Sequence, residues 1–222
     1  MQFNVKKCKV IHVGRRTDCY EYYMGGKKLE EETLEKDLGV WISADMKCSQ
    51  QCRYAVNKAN KVLGMIKRTI TFKDLKIMLN LYEYKTLVRP HVEYCVSAWN
   101  PYYKKDKELL EKVQRRFTKM IKGMKDKSYE ERLQRLNLWS LEERRNRQDL
   151  IEVFKICKGL SRIRSEELFN FDNRDKGTRG HSQRVIKRWK QLDQEAVDAT
   201  SSNAFKSELD KLRHTRMGFF MD

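Results

Sequence analysis

The stretch Asp37-Leu38-Gly39-Val40-Trp41-Ile42-Ser43 divides the chain. Leu38, Val40 and Ile42 alternate with Gly39, Trp41 and Ser43, the period of a strand with one buried face. Gly39 removes a side chain in mid-strand, the pattern of a bulge or of a close approach by another backbone or a ligand. The period then lengthens. Cys48, Cys52, Ala55, Ala59, Val62, Ile66 and Ile70 recur at intervals of three and four, with Val56 and Leu63 widening the stripe, so an amphipathic helix follows. Its other face carries Arg53, Asn57, Lys61, Gly64 and Arg68. A basic, Asn-bearing face beside a strand suits a nucleic-acid backbone, and it equally suits a solvated surface over an ordinary core.

On the N-terminal side the elements are short. Lys9-Val10-Ile11-His12-Val13 reads as a strand and Gly14-Arg15-Arg16-Thr17-Asp18 as a loop. Tyr20-Glu21-Tyr22-Tyr23-Met24 and Lys27-Lys28-Leu29 flank Gly25-Gly26, a two-residue hairpin signal because both turn positions need positive φ. Glu30-Glu31-Glu32 reads as an acidic loop. These short strands would expose an unpaired edge and an apolar face, so residues 1–45 are expected to be marginally stable.

On the C-terminal side the chain reads as helix. Thr71 and Asp74 mark a start, with Leu75, Met78, Leu79 and Tyr82 as its stripe. Pro90 is expected to interrupt or kink the run and to push Arg89 out of helical geometry. Val92, Cys95, Val96 and Trp99 form another apolar set that ends at Pro101. A helix expected over Lys104–Lys122 buries Leu109, Leu110, Val113, Phe117, Met120 and Ile121. Lys112, Arg115, Arg116, Lys119 and Lys122 share its other face, at helical spacing and without an acid among them. Like charges on one face repel, and a phosphate backbone is a natural cover; snorkelling side chains over an apolar stripe are the structural alternative. Gly123 marks its stop. Ser128 with Glu131, and Ser140 with Glu143, are capping boxes for helices over Tyr129–Leu136 and Leu141–Lys158. Arg144, Arg145 and Arg147 cluster near the start of the second. Asp172–His181 lacks apolar periodicity and reads as a loop; Val185, Ile186, Trp189 and Leu192, then Ala204, Phe205, Leu209 and Leu212, fit two short helices.

These elements predict an α+β chain, mainly α: a small N-terminal antiparallel β-hairpin region followed by a helical bundle. The expected divisions are residues 1–45, a thumb-like bundle over 46–160, and a looser basic tail over 161–222. The 222 residues hold 48 Lys and Arg against 31 Asp and Glu, a net charge of +17 that favours polyanionic partners. No apolar run reaches membrane-spanning length, and the N-terminus has no signal-peptide apolar region. Six scattered Cys without a framework pattern point to reduced thiols in an intracellular compartment, cytoplasmic or nuclear. Cys48 with Cys52 and His91 with Cys95 have spacings that a tetrahedral zinc site can use, but helical pairs with apolar neighbours are the pattern of buried thiols, so no metal site is expected. No nucleophile sits beside a recognisable base with an orienting third group, so no catalytic residue is assigned.

Several motifs carry a family resemblance. Phe3-Asn4-Val5-Lys6-Lys7-Cys8-Lys9-Val10 and Glu35-Lys36-Asp37-Leu38-Gly39-Val40 lie in the N-terminal region. Leu87-Val88-Arg89-Pro90-His91-Val92-Glu93-Tyr94-Cys95, Leu110-Glu111-Lys112-Val113-Gln114-Arg115-Arg116, Ser128-Tyr129-Glu130-Glu131-Arg132-Leu133 and Ser140-Leu141-Glu142-Glu143-Arg144-Arg145 follow in order. Together they resemble the end of a non-LTR retrotransposon reverse transcriptase of the jockey-like branch, which includes the chicken-repeat-type elements. The similarity runs from residue 2 to about residue 160, then resumes after a gap to about residue 212.

The resemblance implies an RNA-directed DNA polymerase tail: the last palm motifs, a primer grip at Leu38, Gly39 and Val40, and a thumb. Asn4 and Lys7 match the family's Asn-x-x-Lys, where the Lys sits near the incoming nucleotide's phosphates. Polymerase chemistry needs carboxylates that bridge two divalent ions, and the family's paired Asp lies upstream of this segment. This chain has no Asp-Asp pair. It is therefore expected to be a truncated fragment, inactive alone and without a cofactor of its own, since divalent metal would need the palm carboxylates. Its departures from the family fall in the tail. Ser182 runs directly into Gln183-Arg184-Val185, where the family has a further basic and aromatic stretch, and Asp193 stands where the family tends to carry a Pro.

The expected partner is an RNA–DNA hybrid or duplex bound largely without sequence preference, with an upstream polymerase palm as a possible second partner and no membrane. The nucleic-acid-binding candidates are Arg53, Asn57, Lys61 and Arg68 on the first long helix and Lys112, Arg115, Arg116, Lys119 and Lys122 on the later one. The alternatives are a helical protein-interaction module and an inert mobile-element relic.

Overall fold

A computed structural model describes residues 4–14, 20–83, 87–162 and 181–221. Of the loops expected at 14–18 and 172–181, residues 15–18 and 172–180 lie outside the described residues, and His181 begins a helix. The chain forms two compact units, residues 1–95 with 103–113, and residues 96–102 with 114–222.

The first unit begins with short strands. A single 3-10 turn, Val5–Lys7, follows Asn4, whose side chain accepts from the Lys6 amide. Strand β1 (Lys9–Val10) pairs in parallel with β4 (Glu30–Glu31). Sequence reading placed Glu30–Glu32 in a loop, and Lys9 supplies the reason for the difference. Its ammonium lies 2.7 Å from Glu32, 3.9 Å from Glu30 and 3.8 Å from Glu35. One cation thus gathers the acids that would otherwise repel each other. Strands β2 (Tyr23–Met24) and β3 (Lys27–Lys28) form the expected hairpin. Gly25 at φ 56° and Gly26 at φ 72° make its turn.

The stretch 37–43 is a hairpin rather than one strand. Strand β5 (Leu34–Asp37) pairs antiparallel with β6 (Val40–Ser43), in the register Asp37 to Val40 and Leu34 to Ser43. Leu38 at φ 43° and Gly39 at φ 90° form the turn between them. Positive φ is disfavoured for Leu, and the turn is held from outside: the Tyr94 hydroxyl donates to the Leu38 carbonyl at 2.9 Å. A Cβ on Gly39 would meet the Tyr94 ring at 3.2 Å, so both space and backbone angle favour glycine there.

Helix α1 (Ser49–Thr69) follows the expected stripe, burying Cys52, Ala55, Val56, Ala59, Leu63 and Ile66. It packs on β6 and on helix α3 (Arg89–Glu93). Helix α2 (Leu75–Glu83) starts after Asp74, whose carboxylate accepts from the Lys76 amide at 2.9 Å. Pro90 lies in the first turn of α3 instead of kinking a longer helix. In the first turn a missing N–H leaves no broken bond, so Arg89 becomes the first helical residue.

In the second unit, α4 (Val96–Trp99) packs on α7 (Leu141–Cys157). Helix α5 (Lys104–Met120) enters this unit at Gln114. Helix α6 (Tyr129–Leu136) and α7 both begin with complete capping boxes at Ser128 and Ser140. Helices α8 (His181–Trp189), α9 (Gln194–Val197) and α10 (Ser202–Thr215) follow. The core gathers Leu150, Ile151, Phe154, Phe205, Leu209, Leu212 and Phe220. Phe154 stacks on Phe205 with centroids 4.3 Å apart, and Trp139 meets Phe220 edge-on at 5.1 Å. Each such side chain contributes about 1.5–3 kcal/mol by leaving water. The short C-terminal helices, weak in isolation, are held by this burial. The architecture is α+β and mainly α, with small hairpins preceding a helical region.

Candidate nucleic-acid interface

Helix α5 separates its residues by face. Glu111, Val113, Gln114, Phe117 and Thr118 are buried, while Lys112, Arg115, Arg116 and Lys119 are exposed. Gln114 is fixed by donating to the Trp139 carbonyl at 2.8 Å. The helix ends at Met120, two residues before Lys122, which lies exposed in the turn that Gly123 closes at φ 76°. Lys112 belongs to the first unit; Arg115, Arg116, Lys119 and Lys122 belong to the second.

Within the second unit Arg115 also meets α6. The Arg115 guanidinium lies 4.8 Å from the Tyr129 ring centre and the buried Arg132 guanidinium 5.6 Å from it. Tyr129 is the first residue of α6, so the Ser128 capping box sets its position. The contact holds Arg115 over an aromatic face without neutralising it.

In the first unit, α1 exposes Arg53, Asn57, Lys61 and Arg68, as the helical spacing predicted. Of the Leu38-Gly39-Val40 candidate, Leu38 and Gly39 are the hairpin turn and Val40 opens β6; Leu38 is 84% exposed, and Gly39 lies under Tyr94. Sequence reading missed Tyr54, Lys58 and Lys36, which meet beside this helix. Tyr54 and Lys58 are one turn apart and could have been paired from spacing alone. Lys36 is on β5, and only the packing of the hairpin on α1 brings it there.

Other chemistry is sparse. Among the described residues no group of three or more His, Cys, Asp or Glu could hold a metal ion. Cys52 is buried and Cys48 partly so, whereas Cys95 is exposed at φ 49° between α3 and α4. Burial raises the Cys157 thiol above its ordinary value. Among the described residues no helix is long and apolar enough to cross a membrane. No protein-family model matches the chain, and neither a curated protein nor a solved structure matches it.

Proposed function

We propose that this chain is a nucleic-acid-binding segment of a non-LTR retrotransposon reverse transcriptase, comprising its last palm motifs, primer grip and thumb, and catalytically inert by itself. The observation that carries the reading is the exposed α5 surface, where Arg115, Arg116 and Lys119 form a face of one sign. A net charge of +17 supports it, as does the second exposed basic face on α1. The ordered sequence motifs supply the family. The partner is an RNA–DNA hybrid or duplex, held through phosphates and therefore with little sequence preference. Lys122 extends the cationic surface past the end of α5. The sequence has no Asp-Asp pair of the kind that holds the two ions in the family, which supports the reading that this chain does not polymerise by itself.

Charge reversal on α5 tests the reading. A variant with Arg115, Arg116 and Lys119 changed to Glu is expected to keep its helical circular dichroism, since all three are exposed. It is expected to lose binding to a labelled hybrid in fluorescence anisotropy. Parent-like binding by a folded variant would overturn the assignment of this face.

A protein-interaction reading draws on a different feature. Phe72 is 80% exposed, and Leu75 and Ile77 on α2 are 40% and 46% exposed. Single exposed apolar residues are common, but three near one helix start suit an apolar partner. Pull-down of the same partner by the parent and by the α5 variant, with loss on Phe72→Ser, is the result that favours this reading.

A further inference from the structure

The first unit holds a cluster made almost wholly of donors. The Lys36 ammonium donates to the Tyr54 hydroxyl oxygen at 3.2 Å and lies 5.0 Å from the ring centre. The Lys58 ammonium lies 5.1 Å from the same centre. Hydrogen bonding from Lys36 and then from Lys58 lowers the Tyr54 phenol from its ordinary value. His91, on α3, is close enough to feel Lys58, and burial followed by that charge holds its imidazole below the ordinary histidine value. Among the described residues no carboxylate lies within ion-pair distance of Lys36 or Lys58. An ammonium has no acceptor to offer, so the Tyr54 proton cannot go to either lysine. Within the cluster the Tyr54 oxygen thus serves as the acceptor for the ammonium groups, and the hydroxyl hydrogen meets no acceptor there.

The cluster is also held in place. Trp41 meets the Tyr54 ring at 5.8 Å, nearly edge-on. The Trp41 backbone N–H donates to buried Gln51 at 3.0 Å, which ties β6 to α1. Lys36 belongs to the strand paired with β6, opposite Trp41 in the register. The two lysines thus come from different elements and meet on one fixed ring, whose only electrostatic role toward them is that of a weak acceptor. Both lysines are exposed, so an incoming anion has access.

We propose that Lys36, Tyr54 and Lys58 form a phosphate-binding site, distinct from the α5 face, in which an oxyanion accepts from both ammonium groups and from the phenol. A phosphate matches this set because it is acceptor-rich and charge-assisted hydrogen bonds to it are short and strong. The phosphate comes either from a nucleic-acid backbone or from a free phosphate or monoester. The site does not depend on the reverse-transcriptase reading.

The test is nuclear magnetic resonance of the full chain with labelled tyrosine rings. Inorganic phosphate is added against chloride at matched ionic strength. Saturable movement of the Tyr54 signals with phosphate and not with chloride is expected. Lys58→Met and Lys36→Met are each expected to weaken the response about fivefold or more, through loss of one charge-assisted bond, while leaving other tyrosine signals in place. A short RNA–DNA hybrid added to the same sample separates the sources. Movement of Tyr54 by both ligands assigns the site to backbone phosphate, and movement by inorganic phosphate alone assigns it to free phosphate. No saturable movement with either, or an unchanged response in the Lys36→Met, Lys58→Met double variant, would overturn the proposal. The α5 Glu variant keeps the two claims apart: it is expected to lose hybrid binding while Tyr54 still responds to inorganic phosphate.

Discussion

At the scale of the residue, the turn at Leu38-Gly39 and the carboxylate at Asp45 show what local sequence can and cannot announce. The alternation of Leu38, Val40 and Ile42 fits a strand, and the strand begins two residues later than the alternation suggests. The deciding contact comes from Tyr94, 56 residues away, whose hydroxyl donates to the Leu38 carbonyl. No pattern within the stretch could reveal it. Gly25-Gly26, by contrast, was legible because both residues of the turn are themselves glycine. Lys36 near Tyr54 was illegible for the same reason as the Tyr94 contact: strand and helix must first pack. Asp45 accepts from Ser43 Oγ at 2.6 Å, from the Lys47 amide at 3.0 Å and from its ammonium at 2.9 Å. The Ser43 bond, then Lys47, holds its carboxyl far below the usual carboxylate range. A depressed carboxylate stabilises fully above its unfolded pKa, near about 4, and the contribution fades as pH falls through the folded value. Thermal melts of Asp45→Asn should therefore lie below the parent at neutral pH, with the gap closing only as the solution is acidified below about pH 4. A gap that stays constant down to strongly acid pH would show that the ionised carboxylate adds nothing.

At the scale of the element, the helices were the most legible part. Ser128 with Glu131 and Ser140 with Glu143 satisfy their signals within four residues, so tertiary structure had little to add. Pro90 was misread because the same residue that breaks a helix interior is tolerated in a first turn. Which role it takes depends on where the preceding helix ends, and residues 84–86, just before this turn, are outside the described chain. Ser140 is buried, and its cap begins the helix that carries Leu150, Ile151 and Phe154 into the core. Ser140→Ala and Ser128→Ala should each destabilise by about 1 kcal/mol, from loss of the bond to the third amide of the helix. Urea unfolding is the check. The Ser140 variant should shift the transition of the second unit's core, and a midpoint unchanged within error would contradict the assigned role of the cap.

At the scale of the whole molecule, charge is what a sequence reports most directly and what a fold must then distribute. The excess of 48 cationic over 31 anionic side chains was visible at once, but its arrangement was not. Spacing correctly placed Arg115, Arg116 and Lys119 on one exposed face of α5, whereas Lys122 proved to lie in the turn beyond it. The central claim is that this face binds phosphates, and phosphate binding has a characteristic dependence on salt. Each phosphate contact on a duplex releases condensed counterions, giving a slope of about −0.9 in log affinity against log salt. The most direct measurement is fluorescence anisotropy of the full chain on a labelled RNA–DNA hybrid across a salt series, for the parent and for the Arg115, Arg116 and Lys119 to Glu variant. A steep log-linear loss for the parent, with binding by the variant absent or its slope shallower by about 3, is the predicted result. Binding indifferent to salt, or an equal slope in both proteins, would contradict the claim that this face clamps a nucleic-acid backbone.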